Sequence, residues 1–324
     1  DAEKKQKLGF IKKQISNLED YLQDLYDLLS DTDHLKNYLR PGARLASNLD
    51  YLKRLTEKNR LKKNLDYFDM SLVLRLIQIK NGGLPDGKGG IVSLDHVVID
   101  EAQDFGPVEF AIMMDSVSDK RQVTIVGDIA QKILFARKFI GWEKVVEYLG
   151  LDDDAIIQLE VSFRCTVPIM TLAHKVAGDP KKVEGRKGPD PIWHQSENYL
   201  DLIETLVDWS RGLLQSDPNK LIALICRYPK QAMEIKEEIE AYLPGEVRLG
   251  HRDQFSFEPG ILVTNIHQVK GLEFDSVALV EPDEENYPTK REESRNMIYV
   301  GITRTQDDLL LATIRPYSGV LMGH

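Results

Sequence analysis

The chain has 324 residues, 42% of them hydrophobic and 29% charged, with a formal net charge of -10. At ~100–200 residues per domain, this length predicts about two globular domains with ample core. No apolar run approaches the ~20 residues of a membrane helix, and the charged Asp1–Lys13 stretch has no signal core. Only Cys165 and Cys226 are present, too few for a disulfide framework or a zinc site. The expectation is a protein of the reducing cytoplasm with no membrane contact. The acidic balance weighs against a general nucleic-acid coat protein but leaves room for a local basic groove. The chain lacks an initiator Met, as a piece of a longer or processed chain would.

To about Lys80 the sequence is nearly free of Gly and Pro and reads as helical. Ile11, Ile15, Leu18, Leu22, Leu25 and Leu29 share one seam, and Leu45, Leu49, Leu52 and Leu55 share another beyond the break at Pro41-Gly42. This predicts an N-terminal helical hairpin or arm over 1–90. A basic run from Lys53 to Lys63 reads as a solvated helix face. Asn81–Gly90 is a loop by composition. Beyond it, short β-branched runs alternate with helical patterns. Strands are predicted at His96–Asp100, Gln122–Val126, Ile156–Glu160, Leu221–Cys226, Ile261–Asn265, Val277–Val280 and Leu309–Thr313. Helices are predicted at Val108–Val117, Val167–Val176, Tyr199–Leu214, Lys230–Leu243 and Arg291–Thr303. Such alternation predicts α/β architecture with largely parallel sheets. The Pro- and Gly-rich segment Gly178–Pro191 is the expected boundary, giving domains at 91–180 and 181–324.

Gly82, Gly87 and Lys88 imitate a phosphate-binding loop. The next residue is Gly89, so no hydroxyl is available for magnesium, and a strand rather than a helix follows. A P-loop must open a helix whose N-terminal amides hold the phosphates. A surface turn is the better reading.

The stronger pattern begins at His96. His96–Asp104 is an apolar strand ending in the adjacent acids Asp100 and Glu101. A carboxylate at a strand end can hold hydrated magnesium, and its neighbour can orient or deprotonate an attacking water. Capping of the next helix is the plain alternative. Four further ordered signatures follow: Thr124–Gln131, Leu159–Arg164, Thr264–Asp275 and Tyr299–Arg304.

Together these five signatures resemble the UvrD/Rep type of superfamily-one helicases, in order from about Asp95 to Thr313. The Asp100–Gly106 string and the preceding Asp66–Leu72 segment look most like the HelD branch, which acts on RNA polymerase. The resemblance implies a P-loop NTPase (RecA-like) helicase architecture, with one partial and one complete parallel-sheet domain clamping one ATP. Asp100 then holds Mg2+ through water, and Glu101 is the catalytic carboxylate. Gln131 senses the γ-phosphate, and Arg164 and Arg304 bring guanidinium groups to it. Glu273 accepts a hydrogen bond from the ribose across the Lys270-Gly271 turn. Thr264 and His267 lie near the nucleic-acid track. The implied partners are single-stranded DNA, with RNA left open, and RNA polymerase in the HelD-like alternative.

Three departures qualify the resemblance. No Walker A precedes Asp100, so this chain alone is expected to bind and hydrolyse ATP poorly. Ala136 stands near the position where the family carries a base-stacking aromatic, with Phe135 and Trp142 as substitutes. The insertion that elaborates the second domain is short or missing, which favours a remodelling motor over a processive unwinder.

Overall fold

The computed structural model describes residues 67–119, 121–132, 141–150, 155–159, 163–180, 182–251 and 255–323. The two heptad seams, the basic run from Lys53 to Lys63, the 160–162 part of the Leu159–Arg164 signature and the Phe135-Ala136 pair lie outside them. The chain divides into two compact units. Gly127 closes the main run of the first, which also takes 141–150; the second gathers 128–132 and the described residues from 155 onward. Among the described residues no helix is long and apolar enough to cross a membrane.

In the first unit α1 (Tyr67–Asn81) is followed by β1 (Val97–Ile99), α2 (Pro107–Met114), β2 (Val123–Ile125) and α3 (Trp142–Leu149). β1 and β2 pair in parallel, with Val97 opposite Val123 and Ile99 opposite Ile125. Ile99, Ala102, Phe110, Met114, Val145 and Leu149 form the core. Polar contacts fix α1 to α2. Gln78 is buried, and its Nε2 donates to the Ile112 carbonyl and to Ser116 Oγ. The Gly82–Gly90 string is a turn: Pro85 and Ile91 form an antiparallel bridge, and the Asp86 carboxylate accepts from the amides of Lys88 and Gly90. The Lys88 amide, one that a P-loop would offer to phosphate, is thus committed to a side chain.

The second unit is built on α4 (Val167–Ala177), β3 (Ile192–Gln195), α5 (Tyr199–Ser216), β4 (Leu221–Cys226), α6 (Pro229–Tyr242), β5 (Val247–Leu249), β6 (Gly260–Asn265), β7 (Phe274–Val280), α7 (Glu292–Thr303), β8 (Thr305–Thr313) and α8 (Gly319–Met322). Its six strands are all parallel, in the order β3-β8-β7-β4-β6-β5. All six residues of β4 are buried, as a strand covered on both faces requires. Successive side chains alternate between two cores. Ala223 and Ile225 join α4 and α7 on one face, while Ile222, Leu224 and Cys226 join α5 and α6 on the other. Helices on both faces of a parallel sheet are the α/β arrangement that the alternating pattern predicts. Gly301 lets α7 lie close to the sheet, because a Cβ there would stand 2.5 Å from Leu279 Cδ2.

Several local expectations change. The Ile156–Glu160 run forms no strand over 156–159, where Ile157 and Leu159 are 80% and 84% exposed. An apolar run becomes a strand only where another strand completes its hydrogen bonds, and here none does among the described residues. β3, β5 and α3 are additional elements that the periodicity did not reveal. α4, expected on the first-domain side of the Gly178–Pro191 segment, packs in the second unit. Ile169, Leu172, Ala173 and Val176 are part of that core.

Candidate functional site

In the first unit, β1 delivers Asp100 to its C-terminal end, where the side chain is exposed and Oδ1 accepts from the Glu101 amide at 2.8 Å. Glu101 sits in the left-handed region at φ 52, ψ 42. A non-glycine residue there carries strain of order 1–3 kcal/mol, which clusters at functional sites. Its Oε2 accepts from the buried Gln103 Nε2, so the side chain is oriented as well as the backbone. Two adjacent carboxylates supply hard oxygens of the kind that Mg2+ takes, directly or through water.

The second unit collects the other site residues in three groups. In the first group, Gln131 ends a short 3-10 turn, Ile129–Gln131, and Arg304 closes α7. Arg304 is 1% exposed. Its Nη2 donates to Gln131 Oε1 at 2.8 Å, and its other nitrogens donate to the carbonyls of Val300 and Leu272, each at 3.2 Å. The residues implied as γ-phosphate sensor and γ-phosphate cation therefore touch each other. They are separated by 173 positions in sequence.

Arg164 and Glu273 form the second group. Arg164 Nη2 lies 2.5 Å from Glu273 Oε1, with both side chains 40% exposed. Gln306 Nε2 donates to Glu273 Oε2 at 3.2 Å, so both carboxylate oxygens are engaged. Gly271, at φ +77, makes the left-handed turn expected before Glu273. Arg186 secures the group. It pairs with Asp307 and donates to the carbonyls of Arg164 and Gln306 at 2.8 and 2.6 Å. Beside Arg164, the Phe163 ring is 86% exposed.

His267 centres the third group, just past the end of β6. Arg227 Nη1 donates to His267 Nε2 at 3.1 Å. Because arginine only donates, the ring nitrogen must be an unprotonated acceptor. Burial first, and the Arg227 charge second, hold the His267 pKa below its ordinary value. The Arg227 guanidinium also lies 4.7 Å from the Tyr228 ring centroid, and Tyr228 is half exposed. Thr264, expected near the same track, is buried in β6 and donates its hydroxyl to the Gly250 carbonyl at 2.8 Å. Its side chain is spent inside the fold.

A histidine kept neutral by folding ties stability to pH. The unfolded chain protonates near 6.5 and the folded one at a lower pH. Stability is therefore full above pH ~6.5 and falls as the pH drops through the folded value. Thermal melts between pH 8 and 5 are expected to show this loss, and His267→Asn to flatten it. Superimposable pH profiles for the two proteins would sink the assignment.

Arg186, Gln306, Arg227 and Tyr228 were not evident from sequence. None lies at a distinctive spacing, and their partners are long-range; Arg186 and Asp307, for instance, are 121 positions apart. Cys165 and Cys226 are buried free thiols, as small core residues are expected to be.

Residues 246–316, which hold Gly271, Glu273, His267 and Arg304, match the UvrD-like helicase C-terminal domain family. The ATP-dependent DNA helicases UvrD2 of Mycobacterium bovis and Mycobacterium tuberculosis are 25% identical to the chain over 164 residues, covering 44% of it. The chain spans 22% of the length of these relatives. A solved C-terminal domain of a possible DNA helicase from Lactobacillus plantarum WCFS1 aligns at 23% identity and TM-score 0.42, covering 50% of this chain and 92% of that one. Residues 246–316 are thus similar to the C-terminal domain of UvrD-like helicases, and the chain is similar to the UvrD2 helicases over 164 residues.

Proposed function

We propose that the chain is the C-terminal part of an ATP-dependent superfamily-one DNA helicase or translocase, in which ATP hydrolysis drives movement on single-stranded nucleic acid. The observation that carries this reading is the direct bond between Gln131 and Arg304, which joins two separate γ-phosphate signatures. ATP would supply the phosphoryl group, and Asp100 would help to hold Mg2+, which would neutralise charge on it. Glu101 takes the proton of the attacking water.

The two arginines have different roles on energetic grounds. An exposed ion pair such as Arg164–Glu273 contributes about 0–1 kcal/mol, so its exchange for a phosphate costs little. When Arg164 swings to the nucleotide, Glu273 Oε1 is freed to accept from the ribose, and the exposed Phe163 ring offers a stacking face to the base. Arg304 is buried, and each acceptor it abandoned would be left unpaired at about 1–3 kcal/mol. It acts from a fixed place.

Nucleic acid is assigned to the Arg227–Tyr228–His267 surface, which combines a cation with an exposed ring. Each phosphate neutralised on a single strand contributes about -0.7 to the slope of log K against log salt. In titrations of single-stranded DNA with this chain, Arg227→Ala is expected to weaken binding and reduce the slope by about that amount. An unchanged slope would remove Arg227 from the track. Capture of RNA polymerase with no salt-sensitive DNA binding would instead favour the HelD-like reading, in which a helical arm contacts the polymerase.

A further inference from the structure

Helix α7 holds the 128–132 segment through one of its faces. Asn296, Tyr299 and Thr303 follow a three-and-four spacing, which aligns them along the helix, and Arg304 caps its end. Asn296 Nδ2 donates to the Lys132 carbonyl at 2.8 Å, and the Tyr299 hydroxyl donates to Asp128 Oδ2 at 3.1 Å. The same Asp128 Oδ2 accepts from Gln131 Nε2 at 2.9 Å, while Asp128 Oδ1 accepts from the Ala130 amide at 3.0 Å.

A glutamine side chain has an accepting end and a donating end. In Gln131 the oxygen faces a guanidinium and the nitrogen faces a carboxylate. Turned by half a rotation, the amide would set donor against donor at Arg304 and acceptor against acceptor at Asp128. Its orientation is therefore fixed as long as Asp128 itself stays in place. The Asp128 carboxylate is placed by the Tyr299 hydroxyl from outside its own turn. Tyr299 is 6% exposed, and burial raises its pKa, with the Asp128 charge adding to the effect, so the hydroxyl keeps its proton for donation.

We propose that Tyr299 is a positioning residue: through Asp128 it sets the Gln131 amide against Arg304, so that sensor and cation meet the γ-phosphate as one preassembled unit. This rests on the ATP-cleft reading above.

The test uses Tyr299→Phe, which keeps the ring and removes only the hydroxyl, and Asp128→Asn, which keeps the shape but places an amide group beside Gln131 Nε2. The first readout is independent of ATP. With glutamine labelled by 15N in the 324-residue chain, the Gln131 side-chain amide signals, identified by their loss in Gln131→Glu, are expected to shift in both variants. The second readout is turnover by the full-length protein. Here kcat is expected to fall about tenfold in Tyr299→Phe, since a bond to a charged group is at stake, with KM for ATP changed less than twofold. Asp128→Asn is expected to lose more. Unmoved Gln131 signals in a folded Tyr299→Phe protein overturn the positioning role, whatever the turnover. Moved signals with parental kcat overturn its part in the reaction alone. Moved signals in a full-length protein that turns over no ATP overturn the ATP-cleft reading, and the inference with it.

Discussion

Exchange of Glu101 for glutamine in the full-length protein is expected to lower ATP turnover by about 10²–10⁴-fold, the usual contribution of a positioned general base, while ATP still binds. The glutamine keeps the size of the side chain, and its carbonyl oxygen can still accept from Gln103, so the contact that orients residue 101 survives. What disappears is the capacity to take a proton. The left-handed backbone at Glu101 is unchanged by the exchange, so the strain held there stays in place. Steady-state turnover, combined with a nucleotide-binding titration, separates the two effects. Turnover at the parental rate would remove Glu101 from the role of base. A loss of binding equal to the loss of turnover would show that the side chain shapes the site instead.

Replacement of Arg304 is expected to have two large effects at once. A guanidinium that stabilises a transferring phosphoryl group contributes about 10³–10⁵ in rate. Arg304 is also a structural member of the second unit, with donors to Leu272, Val300, Thr303 and Gln131. Arg304→Lys keeps the charge but cannot serve the same fork of acceptors. Urea unfolding is expected to show a loss of about 3 kcal/mol, taking acceptors left unpaired at about 1–3 kcal/mol each. Arg164→Ala provides the contrast. Its partner Glu273 is partly exposed, so stability is expected to change by less than about 1 kcal/mol. Equal stability losses in the two variants would contradict the division into a fixed and a mobile arginine.

Much of the architecture could be read from local pattern, and the reason is burial. β4 and β6 are covered on both faces by helices, so their sequences are near-continuous apolar runs. Helices α4, α5 and α6 carry one buried apolar side and keep its period, whereas α7 is buried continuously from Met297 to Thr303. β3 escaped notice because it is an edge strand, with Ile192 and Trp193 half exposed and Pro191 before it. β5 stands at the other edge of the sheet, with Arg248 and Leu249 only partly buried, so it lacks the continuous apolar run of the inner strands. Conversely, Ile156–Leu159 has the composition of a strand with no ladder to join among the described residues.

Within the candidate site the same division holds. The Asp100–Glu101 pair, the Gly271 turn and the residue types at 131, 164, 273 and 304 were set by the order of amino acids, because an acid after a strand or a glycine at a turn is a local requirement. Folding alone decided that Arg304 is enclosed while Arg164 is open to solvent, that the Thr264 hydroxyl turns inward, and that Tyr299 reaches Asp128 across 171 positions. Two arginines look alike in a sequence. Their chemistry diverges only when packing determines how much water each retains and which distant acceptors it meets.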